Sequence, residues 1–167
     1  MDQNNFGKIS NKQLKEFLDE KAAFYEQPKF IETDPVQIPH LFSQKEDIEI
    51  SGFLTATISW GNRKSILKNA HKLMALLGNS PYDFVMNYKT TDAHYFDGFV
   101  HRTFNSTDLS CFINALQHLY NRYGSLERFF NQYTEEAHLQ NAIHHFKKEF
   151  FSIHHPSRTE QHISAPH

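Results

Sequence analysis

The stretch Ile50-Ser51-Gly52-Phe53-Leu54-Thr55-Ala56-Thr57-Ile58-Ser59-Trp60 contains no charged residue. Phe53, Leu54 and Ile58 supply bulk, whereas Ser51, Gly52, Thr55 and Ala56 are small. A helix of this kind can be buried on most of its sides, with neighbours approaching closely at the small positions. The pattern predicts a central helix from about Lys45 to Ser59. Gly61-Asn62 then ends it and caps the next helix.

Outward from that segment the apolar residues keep helical spacing. From Asn62 to Leu77, Ile66, Ala70, Leu73 and Leu77 form a core stripe, widened by Leu67 and Met74. Lys64, Lys68 and Lys72 recur one turn apart on the opposite face. Gly78 is a C-cap, and Ser80-Pro81 restarts a helix through about Asn87. Asn105, with Asp108 in the first turn, opens a strong helix whose Leu109, Phe112, Ile113, Leu116, Tyr120 and Tyr123 face inward. Gly124 stops it, and Ser125 caps a short helix through about Asn131. Thr134, followed by Glu135 and Glu136, starts the last long helix, with Leu139, Ile143, Phe146, Phe150 and Ile153 as its buried stripe. Towards the N-terminus, Leu14, Phe17, Leu18 and Ala22 mark a helix from about Asn11 to Glu26. Asp34-Pro35 opens another short one. The fold class that follows is all-α, a compact multi-helix bundle. Residues 1–10 read as a flexible N-terminus, 11–155 as one helical domain, and 156–167 as a polar, aperiodic tail or linker.

Composition agrees with this and excludes several function classes. The chain has 167 residues, 39% of them hydrophobic, including 16 Phe, which is too apolar for a disordered segment. Six Gly and six Pro are few for a turn-rich β fold. A formal charge of −2 gives no global cationic field, so any affinity for nucleic acid must come from a local patch. Cys111 is the single cysteine, which excludes an internal disulfide and suits a reducing, cytoplasmic compartment. No apolar run approaches the roughly 20 residues of a bilayer span, so no membrane partner is expected.

The candidate chemistry is sparse. None of the twelve histidines pairs with another at i, i+3 or i, i+4, so no helical metal site is expected. Cys111 lies seven residues from His118, too far for activation along one helix, and reads as a packed, inert thiol. Asp47, Glu49, Asp92 and Asp97 show no acid/base spacing and read as capping or solvated groups. No phosphate-binding glycine loop and no nucleophile elbow are present, and no cofactor is implied.

Two segments stand out. In Ser59-Trp60-Gly61-Asn62-Arg63-Lys64 an apolar helix ends where a cationic one begins. The N–H groups there, with Arg63 and Lys64, can meet a phosphate while Trp60 stacks or wedges. The other reading of the same residues is a core Trp beside a solvated lysine face. In His101-Arg102-Thr103-Phe104-Asn105, Arg102 either meets phosphate or sits exposed on an N-cap loop.

These segments also carry a family resemblance. Asp34-Pro35, Ile38-Pro39-His40, Asp47 to Phe53, Ser59-Trp60-Gly61-Asn62, Leu77 to Tyr82, Phe99 to Asn105 and Tyr123-Gly124-Ser125-Leu126 occur in order. Together they resemble an uncharacterised bacterial family, of Bacteroidetes type, that carries only a domain-of-unknown-function label. That family in turn resembles the helix-hairpin-helix DNA glycosylases, which flip a damaged base and cleave its glycosidic bond. The resemblance implies a glycosylase-like helical domain with DNA as its partner. Trp60, Gly61, Asn62, Arg63 and Arg102 match family motifs, and Lys64 and Lys68 extend the cationic face. It also implies that longer relatives continue into a second half with a Cys-Lys-Arg segment, a Trp-rich helix and a Pro-Leu-Asp-x-His motif. None of these occurs here, so no catalytic residue is carried over. On this reading the chain is an N-terminal portion, and apolar faces left by the missing half invite that half or self-association. The rival reading is a non-catalytic helical protein-interaction module, or a gene fragment without independent function.

Overall fold

The computed structural model describes residues 9–133 and 139–164. The chain forms two compact units, Met1–Asp34 and Pro35–His167, a boundary inside the stretch that the sequence reads as one domain. Helix α1 (Asn11–Tyr25) starts at a capping box, with Ser10 Oγ accepting from the Gln13 amide, and α2 (Pro28–Ile31) follows. The apolar stripe expected of α1 is present in sequence, but none of its residues is buried.

The second unit is all-α and holds the core. It comprises α3 (Lys45–Thr57), α4 (Arg63–Leu76), α5 (Pro81–Asn87), α6 (Ser106–Tyr123), α7 (Leu126–Asn131) and α8 (Gln140–Phe150). α6 packs against α5, α7 and α8, and α3 against α4 and α5. Phe112 of α6 is wholly buried and meets Phe150 edge-on at 4.9 Å and Phe104 at 5.1 Å. Phe53 of α3 touches Phe112, Phe146 and Phe150, so one aromatic cluster ties α3, α6 and α8 together. Each fully buried Phe contributes about 1.5–3 kcal/mol of transfer free energy.

The helix starts predicted at Asn105 and Ser125 rest on local chemistry and occur as read. Asn105 accepts from the Thr107 and Asp108 amides while the Asp108 carboxylate accepts from the Asn105 amide. Gly124 ends α6 at φ 80°, and Ser125 caps α7. Three of the four scattered carboxylates are caps. Asp47 Oδ1 accepts from the Tyr82 amide at the start of α5, at 2.8 Å. Glu49 accepts from the Leu126 and Glu127 amides at the start of α7, at 2.9 and 3.1 Å, and from the Tyr120 hydroxyl at 2.7 Å. Asp92 accepts from the Lys89 amide at the start of the 3₁₀ helix Thr90–Phe96. Burial first, and then the bond to Glu49, hold the Tyr120 phenol far above its ordinary range, so it remains a neutral donor.

Three features differ from the sequence reading. The helix start expected at Thr134 lies outside the described residues; α8 begins at Gln140, and Leu139 is exposed rather than part of the buried stripe. The segment before α6 is not a simple loop but a two-stranded hairpin, β1 (Val100–His101) and β2 (Phe104–Asn105), with Val100 opposite Asn105 and His101 opposite Phe104. Within the stretch read as an aperiodic linker, Ser157–His162 forms a 3₁₀ helix that buries Thr159, followed by buried Ile163. Polar partners at Asp108 hold it, which hydrophobic periodicity cannot reveal.

Two predictions follow from these contacts. Glu49→Ala leaves Ser125 to cap α7 alone and removes the acceptor of the Leu126 amide and the Tyr120 hydroxyl, a loss on the order of 2–3 kcal/mol in urea unfolding. The second concerns pH. His155 is held between the Ile153 carbonyl and Glu160, which raise its pKa in that order, so its contribution is complete below the ordinary His value and fades as pH rises through the raised one. His162, its side chain 4% exposed, is pushed down by burial, so its contribution is present above the ordinary value and fades as pH falls through the lowered one. Thermal midpoints measured across about pH 5 to 8 should flatten on the alkaline side in His155→Gln and on the acid side in His162→Gln.

Candidate functional site

The site is built where α3 hands over to α4. α3 ends at Thr57, the chain turns through Trp60-Gly61, and Asn62 caps α4 by accepting from the Ser65 amide at 3.3 Å. Trp60 is the decisive residue. It is 37% exposed, so the core reading of this Trp does not hold. An apolar helix simply ends before it, and the turn carries it outward.

The hairpin covers one side of the indole. The Arg102 guanidinium carbon lies 4.4 Å from the centre of the Trp60 ring, within cation–π range. Arg102 is at φ 57°, a left-handed conformation that costs a non-glycine residue about 1–2 kcal/mol. Gly61 is at φ 108°, and a Cβ there would sit 3.0 Å from Arg102 Nη1. Glycine is thus required both for the turn and for the approach of the guanidinium.

His101 fastens the two segments from beneath. It is buried, with Nδ1 2.8 Å from Asn69 Nδ2 of α4 and Nε2 3.2 Å from the Trp60 carbonyl oxygen. An amide donor at Nδ1 and a carbonyl acceptor at Nε2 suit a ring that carries a hydrogen on Nε2. Sequence reasoning read this residue only as part of the loop segment, because its partners lie 32 and 41 positions away.

Arg63, Lys64 and Lys68 are exposed on α4, the first two in its opening turn. Lys72 departs from that group: its ammonium reaches the Gly98 carbonyl at 3.3 Å and lies 5.8 Å from the centre of the Phe99 ring. Beside the indole is an open pocket of about 380 Å³ lined by Thr57, Trp60, Thr103, Gln161, His162 and Ser164. Among the described residues no carboxylate lines it. Cys111 lies elsewhere, buried, with its thiol pushed up to about 11 by burial first and Asp108 second; it is an inert packing group. His118 pairs with Glu149 at 3.0 Å. Among the described residues no group of three His, Cys, Asp or Glu side chains is placed to hold a metal ion, and no helix is long and apolar enough to cross a membrane.

Residues 34–167 match the model of a family described as "Protein of unknown function (DUF2400)". The chain belongs to this family. The DUF2400 match begins at the boundary between the two units, so Trp60, Arg102 and the cationic turn of α4 all lie inside it. No curated protein and no solved structure matches the chain.

The geometry separates stability from site chemistry. Arg102→Gly should change the unfolding free energy by no more than about 1 kcal/mol, because relieved backbone strain offsets the lost guanidinium–indole contact, while shifting the emission of Trp60. Gly61→Ala should lower the thermal midpoint and displace the guanidinium from the ring.

Proposed function

We propose that this DUF2400 chain is a nucleic-acid-binding helical domain of the helix-hairpin-helix glycosylase type, which contacts DNA without performing the chemistry by itself. The observation that carries this reading is the exposed Trp60 with Arg102 stacked on it, directly before the cationic first turn of α4. Gly61 and Asn62 shape the turn, and Arg63, Lys64 and Lys68 supply charge for phosphates. A base can stack on the indole, and α4 turns its N-terminal amide groups towards the same region. A net charge of −2 leaves this local patch as the source of attraction. On this reading DNA is the partner.

Fluorescence anisotropy with labelled duplex and single-stranded DNA tests the proposal. Binding should be measurable at low salt and weaken steeply as salt rises. The double variant Arg63→Ala, Lys64→Ala should lower the slope of log K against log salt by about 2 on duplex. Trp60→Ala should cost about 1–3 kcal/mol on single strands if the indole stacks. A folded sample that binds neither DNA at low salt refutes the reading. The alternative, a helical protein-interaction module, draws on α1, where Leu14, Phe17 and Leu18 are 46%, 53% and 54% exposed. A pull-down that recovers a protein partner through α1 and no nucleic acid would favour it.

A further inference from the structure

We propose that the C-terminal 3₁₀ turn Ser157–His162 is a strap that positions the Trp60–Arg102 face, with Arg158 as its positioning residue. The strap is fastened at one carboxylate. Asp108 is wholly buried, although a capping residue in the first turn of a helix ordinarily faces water. Its Oδ2 accepts from the Asn105 amide at 3.0 Å and from Arg158 Nη2 at 2.5 Å, and its Oδ1 accepts from Thr159 Oγ1 at 2.8 Å. The cap needs only the first of these bonds. The other two exist because the strap lies across the carboxylate and shields it from water.

The same guanidinium reaches the hairpin. Arg158 Nη1 lies 3.5 Å from the carbonyl oxygen of Thr103, the residue that follows Arg102 in the turn. His162 extends the contact, with its ring centre 5.0 Å from that of Phe104 in β2. The hairpin has two residues in each strand, and so short a pair is marginal by itself. Its turn also holds Arg102 in a left-handed conformation, which persists only where surroundings enforce it. His101 supplies the restraint on one side, through Asn69 and the Trp60 carbonyl. Arg158 supplies it on the other. Gln161, His162 and Ser164 then form the wall of the pocket that faces Trp60 and Thr57. Releasing the strap therefore frees the Thr103 carbonyl, loosens Arg102 over the indole and removes one wall of the pocket.

Trp60 is the only tryptophan, so its fluorescence reads this face directly. Arg158→Lys keeps a cation for Asp108 but lacks the fork that spans to Thr103. With circular dichroism unchanged, acrylamide quenching of Trp60 should increase by about twofold as the face opens locally. DNA affinity should fall by about threefold, or roughly 0.65 kcal/mol. Arg158→Ala should do both more strongly. A purely structural arginine would lower the thermal midpoint and leave quenching as in the wild type. Unchanged emission and quenching in folded Arg158→Lys and Arg158→Ala overturn the proposal. Should neither variant fold, the wild type in mild urea decides. Hydrogen exchange at the Thr159 amide and quenching of Trp60 rise at the same urea concentration if strap and face are coupled, and at different ones if they are not. The affinity readout rests on the nucleic-acid reading above. The Trp60 readouts do not, so a wild type that binds no DNA leaves the strap testable, and an inert strap leaves DNA binding standing.

Discussion

Two carboxylates of α3 set the starts of two other helices. Asp47 ends at the first turn of α5, and Glu49 at the first turn of α7. Both recipients are short, seven and six residues, and helices of that length do not persist by propensity. Their amide groups need acceptors at the end where water is displaced, and α3 provides them from the inside of the bundle. The uncharged run that makes α3 central lies just after these acids. One helix thus supplies both the apolar surface on which the others pack and the charges that terminate two of them.

The sequence made legible what depends on near neighbours. Asn105 with Asp108, Gly124 with Ser125, and Asn62 before α4 are each decided within a few residues, and the structure has them where the pattern puts them. The stripes of α4 and α6 were legible too, since 3.6-residue periodicity survives wherever a helix has one wet side. What escaped is non-local. The hairpin strands are too short for any alternation to register. The turn Ser157–His162 is polar throughout, and nothing in its order of residues discloses a carboxylate some 50 positions earlier. Leu139 keeps the spacing of the α8 stripe yet stands exposed, because periodicity gives a face and not what lies opposite it.

The candidate site shows the same division. Trp60, Gly61, Asn62 and Arg63 were marked by their order along the chain, and Arg102 by its own motif. That the two motifs form one face could not be read, because 41 residues separate the Trp60 carbonyl from the imidazole that holds it. The outward position of Trp60 could not be read either. An indole after an apolar run suits a core as well as a surface, and the turn at Gly61 chooses between them.

The span between Asp108 and its partners has a consequence for the order of folding. Arg158 and Thr159 meet a residue 50 and 51 positions earlier, so a long loop must close before either bond forms. α6 needs neither of them to nucleate, because its cap is complete within Asn105 to Asp108. The aromatic core around Phe112 can therefore assemble while the carboxylate still faces water. On the strap proposal, docking of Ser157–His162 on Asp108 is then the step that completes the Trp60 face.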